Sequence, residues 1–204
     1  MNTTDKGELT RRHILDTGHK LVLHKGFVGV GLKEILGASG VPKGSFYHYF
    51  SSKEHFGCAL LERYADDYQR RLESLLRPGT GSGRERLMRY WKAWIDDPQL
   101  GGWAEHCLVV KLAAEVADLS EDMRLILCAG VDQLISRIAE TLADGQRDGS
   151  LPSNLAPRPL AQTLYQLWLG AALLSKLSRD KAPLHQALTT TEHLLAAPGS
   201  PAAL

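Results

Sequence analysis

Apolar residues recur along most of the chain at the three- and four-residue spacing of amphipathic helices, and the alternation of a half-buried strand is not sustained anywhere. The pattern is interrupted at Gly26, at Gly40 and at the segment RPGTGSG (77–83), which we interpret as a flexible break. The spacing predicts helices over about 8–24, 32–39, 42–49, 52–76, 84–95, 103–116, 118–145, 160–177 and 183–196. We therefore predict an all-α fold of about nine helices.

The first three predicted helices are joined by tight turns, which is the arrangement of a helix-turn-helix. In the third, Phe46 and Phe50 lie four residues apart and are predicted to face inward, which directs Tyr47 outward. The small and basic residues around them are suited to phosphates and base edges. The candidate DNA contacts are Lys33, Lys43, Gly44, Ser45, Tyr47, His48 and Lys53.

Charge is divided unevenly along the chain. Residues 1–53 hold eight Lys or Arg against four Asp or Glu, a formal charge of +4, so the remaining residues carry −3 of the overall +1. A basic N-terminal segment on an acidic body is typical of a protein that meets a polyanion at one end.

The 204 residues are enough to bury a core without disulfides, and 44% hydrophobic content excludes disorder of the whole chain. The three cysteines, Cys58, Cys107 and Cys128, are too widely spaced for a disulfide framework or a zinc ribbon. The histidines show no metal-ligand spacing, and we assign no metal or cofactor. The polar N-terminus and the lack of a bilayer-length apolar run favour a cytoplasmic protein.

The segment GVPKGSFYHYFSSKE (40–54) resembles the signature of TetR/AcrR-type transcriptional regulators, whose usual form is GVSxGTLYxHFxSKE. The resemblance covers about residues 8–60. It implies a helix-turn-helix domain over 1–53 and a helical ligand-binding and dimerisation domain over 54–197. It also implies a homodimer on a palindromic operator in double-stranded DNA, released by a small-molecule inducer. We expect the chain over 198–204 to be a flexible tail. This sequence departs from the family at Gly31 and Pro42, where Ser or Thr is usual.

Two further segments, HCLVVKLAAEVADLSEDMR (106–124) and LWLGAALLSK (167–176), are similar to a branch of that family that senses electrophiles through a cysteine. The resemblance implies that Cys107 is the sensor. Lys111 follows one helical turn later, and a nearby cation favours the reactive thiolate. Trp103, one predicted turn earlier, is a candidate pocket residue. The predicted sensor and pocket residues are Cys107, Lys111, Trp103, His106, Lys176 and Trp168.

The remaining predictions concern packing and assembly. Cys58 and Cys128 fall on apolar stripes, so we predict that both are small core residues. The helix over 160–177 is too apolar around its circumference to face water, and we expect it to form the dimer interface with the helix over 183–196. The long fourth helix would join the two domains as a lever.

We conclude from the sequence that the protein is a homodimeric transcriptional repressor and not an enzyme. Three alternatives stay open. One is a thiol-dependent helical enzyme that uses Cys107. Another is a repressor with a reversible inducer and an inert Cys107. The third is a helical interaction protein without DNA binding, which leaves the Lys43–Lys53 segment unexplained.

Overall fold

A computed structural model of the chain describes residues 3–99 and 101–196, which form nine α-helices and no strand. The helices are α1 (Thr3–Lys25), α2 (Leu32–Ser39), α3 (Lys43–Tyr49), α4 (Lys53–Leu76), α5 (Gly83–Ile95), α6 (Leu108–Leu119), α7 (Glu121–Arg147), α8 (Pro157–Ser178) and α9 (Ala182–Leu194). The predicted all-α class and the number of helices are confirmed for this part of the chain.

The helices divide into two compact units, and the first consists of the chain up to Asp67 together with Lys111–Ala129. Its core joins α1, α2, α3 and the start of α4 through buried aliphatic and aromatic side chains. Gly18 on α1 lets the helix approach α4 closely, because a Cβ there would lie 2.2 Å from the Phe56 ring. The fully buried members of this core include Ile14, Val22, Val30, Ile35, Phe46, Phe50 and Phe56.

The second unit contains Tyr68–Val110 and the chain from Gly130 onward, and aromatic residues dominate its core. Trp91 on α5 stacks on Trp168 on α8 with ring centroids 4.9 Å apart. The Trp168 indole N–H donates to Thr191 Oγ1 on α9 at 2.9 Å, which joins α8 to α9. Ser82 and Glu85 form a capping box that begins α5.

The predicted helix over 103–116 is displaced, because α6 begins only at Leu108. Gly101 and Gly102 adopt positive φ and reverse the chain after α5. The backbone N–H groups of Trp103 and Ala104 then donate to the carbonyl groups of Ala93 and Trp94 at the end of α5. Residues 103–106 therefore form a turn that caps α5, and Trp103 does not lie one helical turn before Cys107.

The contact division does not follow residue 53, since it assigns the first part of α4 and most of α6 to the N-terminal unit. The functional boundaries at 53 and 197 stay predictions, and the predicted tail over 198–204 lies outside the described residues. None of the helices in the described ranges has the length and apolar character that crossing a membrane requires.

Candidate nucleic-acid interface and thiol site

The third helix presents one face to the core and the other to solvent. Phe46 and Phe50 are fully buried, with ring centroids 5.2 Å apart. Lys43, Gly44 and His48 are exposed, and the Tyr47 side chain is 45% exposed. The predicted outward direction of Tyr47 is confirmed. The Lys43 ammonium lies 5.8 Å from the centroid of the Tyr47 ring, so a cation and an aromatic side chain share this surface.

The beginning of α3 is open to a ligand. Pro42 occupies the N-cap, and no side chain among the described residues caps the helix. A Cβ added to Gly44 would meet no described atom within 4 Å, so a phosphate group has room to approach the backbone there. Ser45 is half-buried beside it. The second helix begins in a similar way at Gly31, which supplies no side-chain cap, and Lys33 on its first turn is exposed.

Lys53, a predicted phosphate contact, is engaged within the protein. Its ammonium donates to the Phe27 carbonyl at 2.8 Å and lies 4.6 Å from the centroid of the Phe27 ring. Burial lowers the pKa of Lys53, while the nearby Glu115 carboxylate acts in the opposite direction. A role for Lys53 in contacting DNA stays a prediction, and the structure gives this side chain an intramolecular role.

The turn after α1 is held by residues of α6 that the sequence analysis did not connect with it. The backbone N–H of Phe27 donates to Glu115 Oε2 at 3.0 Å, and that of Val28 donates to Glu115 Oε1. The Lys111 ammonium donates to the His24 carbonyl at 3.1 Å. Glu115 is separated from Phe27 by 88 residues, so no local pattern indicated the contact.

Cys107 is a buried thiol at the beginning of α6. Its side chain is 2% exposed, and its sulfur accepts a hydrogen bond from the backbone N–H of Val110 at 3.5 Å. This is the geometry of an N-cap. The sulfur is also close enough to the phenols of Tyr90 and Tyr165 to reinforce the rise in their pKa that burial causes.

Cys107 belongs to a buried cluster that contains several aromatic residues. Trp103 shares its buried cluster and donates from the indole N–H to Asp97 Oδ2 at 2.9 Å. The Tyr68 hydroxyl lies 2.9 Å from that of Tyr90. The sequence did not identify Tyr68, Tyr90 and Tyr165 as candidate site residues, because aromatic residues at helical spacing do not distinguish a site from ordinary packing.

The other predicted sensor residues are distributed more widely. Trp168 belongs to the same buried core and is held by Trp91 and Thr191. His106 is half-buried in the turn before α6, while Lys176 is exposed near the end of α8. Which of these residues act on Cys107 stays a prediction.

The other two cysteines differ from each other. Cys128 on α7 is exposed, so the prediction that it is a core residue is wrong. Its apolar neighbours in sequence do not bury it, because α7 turns this position toward solvent. Cys58 is half-buried on α4. Burial raises its pKa, and the carboxylates of Asp122, Glu54 and Glu62 reinforce that rise.

Large apolar side chains are exposed on the C-terminal half of α8. Leu173 and Leu174 are half-exposed, Leu177 is 74% exposed, and Leu194 on α9 is also exposed.

The part of the chain that the structure describes contains no group of three or more His, Cys, Asp or Glu placed to hold a metal ion.

Comparison with known proteins agrees with the fold. Residues 14–56 match the family model for bacterial regulatory proteins of the tetR family, and residues 83–191 match the tetracyclin repressor-like C-terminal domain. The chain is 45% identical over 189 residues to the HTH-type transcriptional repressor NemR of Escherichia coli K12, covering 93% of this chain and 95% of NemR. It is 35% identical over 179 residues to the repressor DhaR of a Mycobacterium species, with 88% of each chain covered.

Solved structures give the same result. The reduced form of E. coli NemR matches with a TM-score of 0.85 and 46% identity, over 94% of this chain and all of that one. A structure described as a TetR/AcrR family member matches with a TM-score of 0.84 and 57% identity, over 93% of this chain and all of that one. The curated relatives are transcriptional regulators and not enzymes. The chain therefore belongs to the TetR family of DNA-binding transcriptional regulators.

Proposed function

We propose that the protein is a homodimeric cytoplasmic repressor that binds a palindromic operator through α3 and is released when an electrophile or oxidant modifies Cys107. The observation that carries the DNA-binding part is the two-sided character of α3. Two buried phenylalanines fix the helix, while Lys43, Tyr47 and His48 are exposed on its other side. Side chains of these types contact phosphates and base edges when a helix lies in the major groove.

A dimer is supported by the apolar surface on α8. A row of exposed leucines at Leu173, Leu174 and Leu177 is costly in water, and a second copy of the chain would cover it. The two α3 helices of such a dimer would meet half-sites one turn of DNA apart, about 34–36 Å. This spacing makes operator affinity sensitive to the geometry of the dimer.

The thiol switch is supported by the position of Cys107 at the beginning of α6. In the proposed step the thiol loses its proton to solvent, and the thiolate lone pair forms a C–S bond with the β-carbon of an α,β-unsaturated carbonyl compound. The C=C electron pair moves to the carbonyl as an enolate, which then takes a proton from water. An adduct on a side chain that is 2% exposed must displace side chains of its buried cluster, and this displacement would alter the domain.

A second candidate is a repressor with a reversible small-molecule inducer and an inert Cys107. The burial of Cys107 among Trp103, Tyr90 and Tyr165 favours it, because an aromatic cluster of this kind also suits a non-covalent ligand. The two candidates differ in whether operator release requires the sulfur atom.

A variant that retains only one thiol separates the candidates. Cys58→Ser combined with Cys128→Ser leaves Cys107 alone and removes the exposed thiol that would react first. We expect stoichiometric alkylation with a maleimide to weaken operator binding by about tenfold or more, which corresponds to a coupling of ~1–3 kcal/mol. The matched control adds Cys107→Ser and should be indifferent to the reagent. Full alkylation without any change in operator affinity would reject the thiol switch and favour the reversible inducer.

A further inference from the structure

The turn between α1 and α2 has hydrogen-bonding groups that neither helix satisfies. Gly26 ends α1 with a φ of 79°, and Phe27 and Val28 follow it in the turn. Both donate to the Glu115 carboxylate, one to each oxygen. A carboxylate that accepts two backbone N–H groups forms charge-assisted bonds, which are stronger than neutral ones.

Two lysines complete the arrangement on the carbonyl side. Lys111, one helical turn before Glu115 on α6, donates to the carbonyl of His24 at the end of α1. Lys53 at the start of α4 donates to the carbonyl of Phe27. We name Glu115, Lys111 and Lys53 the turn clasp. Gly26 has no side chain to obstruct it, since a Cβ there would lie 2.9 Å from Glu115 Oε2.

The turn clasp can affect the predicted DNA-binding helices α2 and α3 because the turn is covalently continuous with them. The turn leads directly into α2, whose N-cap Gly31 has no capping side chain among the described residues. The start of α2 therefore depends on the turn for its position, and α3 follows after the short turn at Gly40. Glu115 contacts none of the predicted DNA-binding residues of α2 or α3 in the hydrogen bonds that it accepts, so any effect on operator binding is indirect.

We propose that Glu115 is a positioning residue for operator binding, which fixes the α1–α2 turn from α6, and that opening of this contact transmits modification of Cys107 to the DNA-binding helices. The inference rests on the proposed function. Its structural basis is that α6 begins at the residue after Cys107 and reaches the turn two helical turns later. A shift of α6 would therefore act on Phe27 and Val28 without passing through α4.

The test measures amide hydrogen exchange at Phe27 and Val28 together with operator affinity. Glu115→Gln retains one acceptor oxygen but loses the charge and the second acceptor. We expect it to accelerate exchange at these two amides and to weaken operator binding, each by about tenfold. Asp118→Asn is the matched control, because it neutralises an exposed carboxylate three residues further along α6. It should leave both quantities within about twofold of the parent protein, as surface substitutions generally do.

A second measurement does not depend on whether a variant of Glu115 folds. In the protein with Cys107 as its only thiol, alkylation should accelerate exchange at Phe27 and Val28, while other slowly exchanging amides of α1 stay protected. In the alkylated Glu115→Gln protein, no further acceleration is expected, because the contact is already broken.

The outcomes separate the two proposals. If the parent protein binds and releases its operator while Glu115→Gln behaves like Asp118→Asn, the positioning role of Glu115 is wrong and the proposed function stands. If affinity falls without faster exchange at the two amides, positioning through the turn is also wrong. If the parent protein fails to bind DNA, the proposed function fails and the positioning role fails with it. If alkylation releases DNA while the two amides stay protected, the transmission part is overturned.

Discussion

Two lysines that bracket α3 have different surroundings, although the sequence gives both the same predicted role. Lys43 is exposed on the first turn of the helix, beside Tyr47. Lys53 donates to a backbone carbonyl and lies against the Phe27 ring. A positive charge near a DNA-reading helix therefore does not by itself identify a phosphate contact.

This difference predicts separate effects of the two substitutions. Lys43→Ala should lower the slope of log affinity against log salt concentration by about two, because each protomer of the dimer loses one phosphate contact. Lys53→Met should leave the slope unchanged and lower the free energy of unfolding by ~1 kcal/mol, because the Phe27 carbonyl loses the shorter of its two hydrogen bonds and keeps the one from the Val30 N–H. Anisotropy titrations at four salt concentrations and urea unfolding measure the two effects. An equal loss of slope in both variants would contradict this assignment.

The cysteines are predicted to react at different rates. Cys128 is exposed and should be alkylated first at pH 7. Cys58 is half-buried, and its pKa is raised by burial and by three neighbouring carboxylates, so little of it is thiolate at neutral pH. Its labelling rate should still be rising above pH 9, because its pKa lies above the ordinary value. Time-resolved mass spectrometry of the labelled peptides measures both. Labelling of Cys58 as fast as that of Cys128 at pH 7 would contradict the prediction.

Sequence reasoning at the residue scale succeeded where spacing decides direction. Phe46 and Phe50 share a helix face, so the outward direction of Tyr47 followed from the pattern. The prediction from the pattern was wrong at Cys128, because its apolar neighbours in the chain do not cover the side chain. It missed Glu115 because the turn that this residue contacts lies far away in the sequence.

Elements were predicted well where caps and breaks are local. The predicted start of α4 near residue 52 is close to the observed start at Lys53, and the Ser52 hydroxyl caps the helix by accepting from the His55 N–H at 2.9 Å. The start of α6 was wrong because Trp103 and Ala104 bond to the end of α5, a contact that helical periodicity does not reveal. The break over 77–83 was too long by one residue, since Gly83 is the buried first residue of α5.

The position of Gly83 gives a prediction for the packing of α5 on α7. A Cβ at Gly83 would lie 2.3 Å from the backbone nitrogen of Gly145, so the two helices touch through their backbones. Gly83→Ala should lower the free energy of unfolding by about 1–3 kcal/mol, because the helices must move apart. Urea unfolding followed by circular dichroism measures the change.

Gly37→Ala on α2 is the control for this substitution. A Cβ there meets no described atom within 4 Å, and alanine is the better helix former. The free energy of unfolding should therefore rise by about 0.5–1 kcal/mol. A Gly83→Ala protein as stable as the parent would show that α5 and α7 do not approach as closely as described.

At the scale of the whole molecule, the family, the helical class and the helix-turn-helix followed from the sequence, because the 40–54 motif is specific and the periodicity is sustained. The division into compact units did not, since α6 joins the N-terminal unit through contacts between distant residues. Assembly is the remaining feature at this scale, and the exposed leucines on α8 make it testable.

Leu177→Asp places a charge on the most exposed of these leucines. We expect the protein to become monomeric in sedimentation velocity experiments and to lose most of its operator affinity, because one chain supplies one α3 helix. Leu125→Asp on α7 also replaces a half-exposed leucine and should leave the dimer intact. A monomeric parent protein, or a Leu177→Asp variant that stays dimeric, would contradict the predicted interface.

The most direct test of the central claim is selection of binding sites from a pool of random duplexes by the reduced protein. The account predicts enrichment of one two-fold symmetric sequence, with half-sites about one helical turn apart, that the Tyr47→Ala variant binds about tenfold or more weakly. Affinity for the selected site should fall steeply with salt. Enrichment of no sequence over the starting pool, or of an asymmetric site that Tyr47→Ala binds equally well, would contradict operator recognition by paired α3 helices.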